Sequence, residues 1–160
     1  MQEDGVVMEF REINHDNYDL FRDLMTNYLR EGEDQYTAQE VIDHYVAKLF
    51  DMMNAKDLFG RLGYEGEKEV GFILYMKDTK ESDYSEKPGF GTIAEIGLKE
   101  EHRNKGIGKL FVDYAETQLD QLGVEGCYVS AYGPAQSFWK RCGYIEKGET
   151  ASNGLPIYVK

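Results

Sequence analysis

The chain has 160 residues, enough for one domain with a buried core, and 41% of them are hydrophobic and 30% charged. Asp and Glu outnumber Lys and Arg 30 to 18, and the formal charge of −12 argues against a nucleic-acid partner, because neutralising phosphates needs a basic surface. No apolar run approaches the roughly 18 residues that span a bilayer, so no membrane segment is expected.

The opening stretch, Met1 to Gly5, is acidic and lacks the basic-then-apolar order of a signal peptide, which favours a cytoplasmic protein. Acidity of this kind serves solubility first, and it is compatible with a cationic substrate drawn into an acidic cleft. Residues 6–13 alternate and predict a first strand. Asn14 to Asn17 offers caps for a helix whose apolar face is Leu20, Phe21, Leu24, Met25, Tyr28 and Leu29, ending at Gly32. Thr37-Ala38-Gln39-Glu40 reads as a capping box. It opens a second helix with Val41, Ile42, Tyr45, Leu49 and Met52 or Met53 on its core face.

Residues 58–64 and 70–76 form a hairpin across a Gly66 turn, and 78–88 is polar enough to be an exposed, mobile loop. A strand from Gly91 to Leu98 follows, then a helix over 106–122 with Ile107, Leu110, Phe111, Tyr114, Ala115, Gln118 and Leu122 on one face. Gly123 stops it. A strand over 127–132, a Pro134-led helix ending at Gly143, and strands over 144–147 and 155–159 about a Gly148–Gly154 turn complete the chain. The order is β-α-α-β-β-β-α-β-α-β-β. Its β-α-β unit demands parallel neighbours, so the expected fold is one α/β domain over 1–160, a mixed sheet with helices on both faces.

The connection after Leu98 is the most informative stretch. Gly106 and Gly108, flanked by Arg103, Lys105 and Lys109, suit a helix N-terminus that accepts an anion. A P-loop would need a different glycine spacing and a hydroxyl after the lysine, and a Rossmann turn would need glycine where Phe111 stands.

Arg103-Asn104-Lys105-Gly106-Ile107-Gly108 matches the Arg/Gln-x-x-Gly-x-Gly/Ala turn, and Ala135-Gln136-Ser137-Phe138-Trp139-Lys140-Arg141-Cys142-Gly143-Tyr144 is close to Ala-x-x-Phe-Tyr-x-x-x-Gly-Phe. On these two signatures the chain resembles the GCN5-related N-acetyltransferase (GNAT) family over nearly its whole length. The resemblance implies a mostly antiparallel mixed sheet with a central parallel β4/β5 pair. It implies acetyl-CoA as co-substrate, with the pyrophosphate on the turn from Arg103 to Lys109. The pantetheine arm would run along Ile96, Gly97 and Leu98, where Gly97 suits a bulge. Ala135, Phe138 and Trp139 belong to the second signature and complete the implied cofactor site.

The implied chemistry is direct attack of a neutral amine on the thioester in a ternary complex. Glu95 is the candidate base, with a solvent-facing or salt-bridged carboxylate as the alternative. A backbone N–H near Leu98 would donate to the carbonyl oxygen. Trp139 stands where relatives often carry a Tyr acid, and an indole N–H is no acid. Tyr132, at a position where relatives carry a pantetheine-binding Asn, is the candidate acid or simply packs. His15, His44 and His102 show no metal spacing, and none is assigned to catalysis. Cys127 and Cys142 are expected to be buried free thiols. Lys140 and Arg141 either reach the cofactor or form a solvated face. The acceptor is expected to be a small cationic amine; a protein amine, or acyl-CoA binding without catalysis, are the alternatives. The resemblance allows a homodimer, which no exposed apolar stripe demands.

Overall fold

A computed structural model describes residues 5, 7–32, 36–83 and 85–160. The strands are β1 (Glu9–Glu12), β2 (Phe59–Glu65), β3 (Lys68–Lys77), β4 (Gly91–Leu98), β5 (Cys127–Ser130), β6 (Ile145–Thr150) and β7 (Pro156–Val159). The helices are α1 (Tyr18–Arg30), α2 (Gln39–Asn54), α3 (Ile107–Gln121) and α4 (Gln136–Arg141). The sheet order is β1-β2-β3-β4-β5-β7-β6, with β4 and β5 parallel and β1/β2, β5/β7 and β6/β7 antiparallel. This is the expected mixed sheet flanked by helices. The chain groups into two compact units, Met1–Leu74 with Glu95–Phe111 and Tyr75–Ala94 with Val112–Lys160.

In the first unit, the Asn14 side chain accepts from the N–H groups of Asp16 and Asn17, and the Asn17 side chain accepts from the Asn14 N–H. This reciprocal box starts a short 3-10 turn that leads into α1. The box expected at Thr37 does not form. Ala38 is the N-cap of α2, and its carbonyl accepts from Val41 and Ile42. Gln39 instead donates to Thr26 and Asp43 and accepts from Arg30, so the start of α2 is tied to α1 by side chains. Phe21, Leu24, Met25, Ile42, Val46, Leu49 and Phe50 are buried. Val41, expected on the core face, is 56% exposed, because the buried face of α2 lies one residue further round at Ile42, Val46 and Phe50. β1 is shorter than expected, and Val6 lies outside the described residues.

In the second unit the stretch after β3 is exposed at Thr79, Lys80, Glu81, Asp83 and Pro88, as expected, but it is anchored by a buried residue at its start. Asp78 is 1% exposed. Its Oδ2 accepts from the N–H groups of Glu86 and Lys87 at 2.9 and 2.8 Å and from the Tyr128 hydroxyl at 2.8 Å. Its backbone bridges to Phe90 and Gly89. Further along, Glu86 accepts from the Ser152 N–H and Lys87 pairs with Glu149. Polar composition does not reveal this anchor, in which one buried carboxylate gathers the donors of the loop around it. Tyr84 lies outside the described residues.

Two helix-face assignments also shift: Leu110 and Leu122 of the α3 region are 36% and 42% exposed, while Val112 and Leu119 are buried. β5 ends at Ser130, so Tyr132 is outside the strand. The β6/β7 turn is later than expected. β6 passes through Gly148 with a register shift between Glu146 and Thr150, and the reversal lies at 151–155.

Burial raises the Asp78 carboxyl, but the donors around it, Lys87 first and then Ser85, Tyr128 and Glu86, together outweigh it and leave the group below its ordinary value. A carboxylate depressed on folding stabilises the protein above its unfolded pKa, near 4, and that contribution is lost as pH falls through the lower folded value. Asp78→Ala is expected to cost about 2–3 kcal/mol at pH 7, since it strands the buried Tyr128 hydroxyl and the loop N–H groups. Urea unfolding at pH 7 and below about pH 4 checks this, and the gap to wild type should narrow at the lower pH.

Candidate functional site

The first unit holds the strand end and glycine turn. Asn104 (φ 61) and Gly106 (φ 80) both adopt the left-handed conformation, on either side of Lys105. Alternation of this kind aims successive N–H groups into one concavity. α3 begins immediately after, at Ile107, and the first N–H groups of a helix have no acceptor within it. A Cβ at Gly106 would meet nothing within 4 Å, so an anion can approach the main chain there. Lys105 and Lys109 are exposed, while Ile107 is buried and contributes packing.

Along β4, Ile93 and Gly97 are buried, and Glu95, Ile96 and Leu98 are half-buried. Glu95 is therefore neither sealed in the core nor fully solvated. Gly97 is where it is because its space is taken: a Cβ would lie 2.6 Å from the Phe72 ring and 2.9 Å from the Tyr28 ring. Arg103 does not extend freely. Its Nε and Nη2 donate to the Leu98 carbonyl at 3.0 and 2.8 Å, and Nη2 lies 2.6 Å from the Glu31 carboxylate. Glu31 was missed by sequence reasoning, since no local pattern links the end of α1 to the residue after β4. Between α1 and α2 lies an open polar groove of about 530 Å³ lined by Arg22, Asp23, Thr26, Asn27, Gln39 and Asp43.

The second unit holds the other candidates. Tyr132 is 48% exposed and precedes a 3-10 turn over Gly133–Ala135 that leads into α4. Ala135 and Phe138 are half-buried, and Trp139 is buried. The Trp139 ring meets those of Phe138 and Tyr144 edge-on at 5.0 and 5.3 Å, so its packing is that of a core residue. The Tyr144 hydroxyl donates to Glu116 at 2.7 Å, and Lys160 Nζ reaches the other oxygen of that carboxylate at 2.9 Å. Burial drives the Tyr144 phenol far above its ordinary value, which removes it as an acid near neutral pH. Lys140 and Arg141 are exposed at the end of α4.

Cys127 and Cys142 are buried and free. Burial, with Glu116 adding, pushes the Cys127 thiol up to about 11, so little thiolate is present at neutral pH. Among the described residues, no cluster of three or more His, Cys, Asp or Glu could hold a metal, and no helix is long and apolar enough to cross a membrane.

The profile of the acetyltransferase (GNAT) family matches residues 15–144. The uncharacterized N-acetyltransferase YjcF of Bacillus subtilis is 29% identical over 96 residues, covering 58% of this chain and 61% of that protein. The chain spans less than two thirds of the curated relatives it matches. Among solved structures, the PaiA N-acetyltransferase of Thermoplasma acidophilum in complex with coenzyme A aligns with a TM-score of 0.70 at 15% identity, over 96% of this chain and 98% of that one. AAC(6′)-Iy, in complex with the bisubstrate analog CoA-S-monomethyl-acetylneamine, aligns with a TM-score of 0.72 at 12% identity, over 90% and 95%. At such identities the likeness is one of fold.

Gly97→Ala should cost about 1–3 kcal/mol, as Phe72 or Tyr28 must move to admit the methyl, and a denaturant titration would show it. The native protein should resist a thiol reagent for minutes at pH 8 and react at both cysteines once unfolded in guanidinium.

Proposed function

The chain belongs to the acetyltransferase (GNAT) family, and on that premise we propose that it moves the acetyl group of acetyl-CoA to the amine of a small cationic acceptor. The observation that carries this reading is the left-handed pair Asn104 and Gly106 at the start of α3, with open space over Gly106. The residues present fit a diphosphate there: amides of Lys105, Gly106, Ile107 and Gly108 would hold it, with Lys105 and Lys109 supplying charge. The backbone of Ile96, Gly97 and Leu98 would receive the pantetheine arm.

Acetyl-CoA supplies an acetyl group activated as a thioester. In this reading Glu95 accepts the proton of the acceptor ammonium, so that the amine attacks in its neutral form. The N–H of Leu98 donates to the carbonyl oxygen as it gains charge. Tyr132 is the candidate proton source for the departing thiolate by its place just ahead of the family signature; Trp139 can only donate a hydrogen bond, and Tyr144 is held by Glu116. The groove between α1 and α2 sets Asp23 and Asp43 against the single cation Arg22, which supports a cationic acceptor. A cytoplasmic location, a single catalytic domain over 1–160 and a homodimer belong to the same reading.

Acetyl-CoA and a panel of amines, followed by release of free thiol, test the proposal. Turnover with small amines supports it. Turnover with peptides alone assigns a protein acceptor instead, and coenzyme A binding without turnover assigns a binding domain. Glu95→Gln should lower kcat on the order of 100-fold at pH 7 with unchanged coenzyme A affinity, and less at high pH, where free amine is abundant. Full activity of this variant at every pH would remove Glu95 as the base.

A further inference from the structure

We propose that Glu31 and Arg103 form a positioning pair for the last peptide of β4, and that Arg103 acts on the acyl donor through Leu98 and not as a phosphate ligand. This rests on the acetyl-CoA reading above. Two N–H groups of one guanidinium converge on the Leu98 carbonyl, and Nη2 also faces Glu31. The positive charge is thereby neutralised by a carboxylate at 2.6 Å before any anion arrives.

Glu31 is itself fixed. It is the C-cap of α1: its N–H donates to the Tyr28 carbonyl, and the next N–H, that of Gly32, donates to the Leu29 carbonyl. One turn earlier, the Tyr28 ring packs edge-on against Phe72 and stands beside the space a Gly97 Cβ would need. The end of α1 therefore meets β4 at two successive residues, Gly97 by a ring and Leu98 through an ion-paired arginine. These are the residues assigned to the pantetheine arm. A guanidinium bonding two ways to one carbonyl holds that peptide plane against rotation, which a single contact would allow.

Calorimetric titration with coenzyme A and with pantetheine, which keeps the arm and lacks the phosphates, separates the two roles. Arg103→Ala is expected to weaken both ligands by the same factor, on the order of tenfold. Glu31→Gln should weaken both about threefold, and have no further effect in the Arg103→Ala background. Arg103→Lys, which keeps the charge without the fork, should fall between wild type and Arg103→Ala for both ligands. A loss confined to coenzyme A would make Arg103 a phosphate ligand and overturn the proposal, as would unchanged affinities or additive effects of the two substitutions. If wild type binds neither ligand, the acetyl-CoA reading itself fails. Coupling of Glu31 to Arg103 in a urea double-mutant cycle then still reports on the pair.

Discussion

The chain leaving β4 must become α3 quickly enough for α3 to cross back and deliver β5 parallel to β4. A parallel pair cannot be closed by a tight hairpin, so the chain reverses twice, over Lys99 to Gly106 between β4 and α3 and again between α3 and β5. The first reversal uses a 3-10 turn over Glu100–His102, then Asn104 and Gly106 in the left-handed region. The last carbonyl of β4 is capped by the first side chain past that turn, Arg103. The same geometry that reverses the chain leaves N–H groups facing outward at the start of a helix. An open helix N-terminus is thus a by-product of making the crossover.

The second unit solves a different problem, that of polar groups taken out of water. Asp78 collects three donors onto one oxygen, and Glu116 collects Tyr144 and Lys160 onto its two. Each cluster joins segments distant in sequence: the 85–87 stretch to β5, and α3 to the end of α4 and the C-terminal residue. Lys160 also exchanges both backbone hydrogen bonds with Cys127. Buried hydroxyls and carboxylates arranged this way fix loops through direction and reach, which apolar contact alone does not supply.

This satisfaction narrows the chemistry. Tyr144 is committed to Glu116, Trp139 is packed between two rings, and Cys127 is held as a thiol. Tyr132 is exposed and Glu95 is half-buried. In the proposed reaction the activated group arrives on the co-substrate, and the protein mainly binds, orients and moves protons.

Order and type of the elements were legible in the chain, because apolar spacing and glycine stops reflect local geometry. So were the Arg103–Gly108 turn and the two buried thiols. Element ends were less so: Thr37 is not the cap because α2 starts at Gln39 with Ala38 as its N-cap, and Val41 faces solvent because the buried stripe of α2 is rotated by one residue. The loop after β3 reads as solvated from its composition, yet Asp78 is buried by partners contributed from β5 and from the far side of the loop. Glu31 could not be paired with Arg103 by any local rule. By itself the sequence determined which segments become helix, strand and glycine turn, since those depend on neighbours along the chain. Only the tertiary structure decided which polar side chains are spent on one another, since that depends on distances between segments that the sequence keeps far apart.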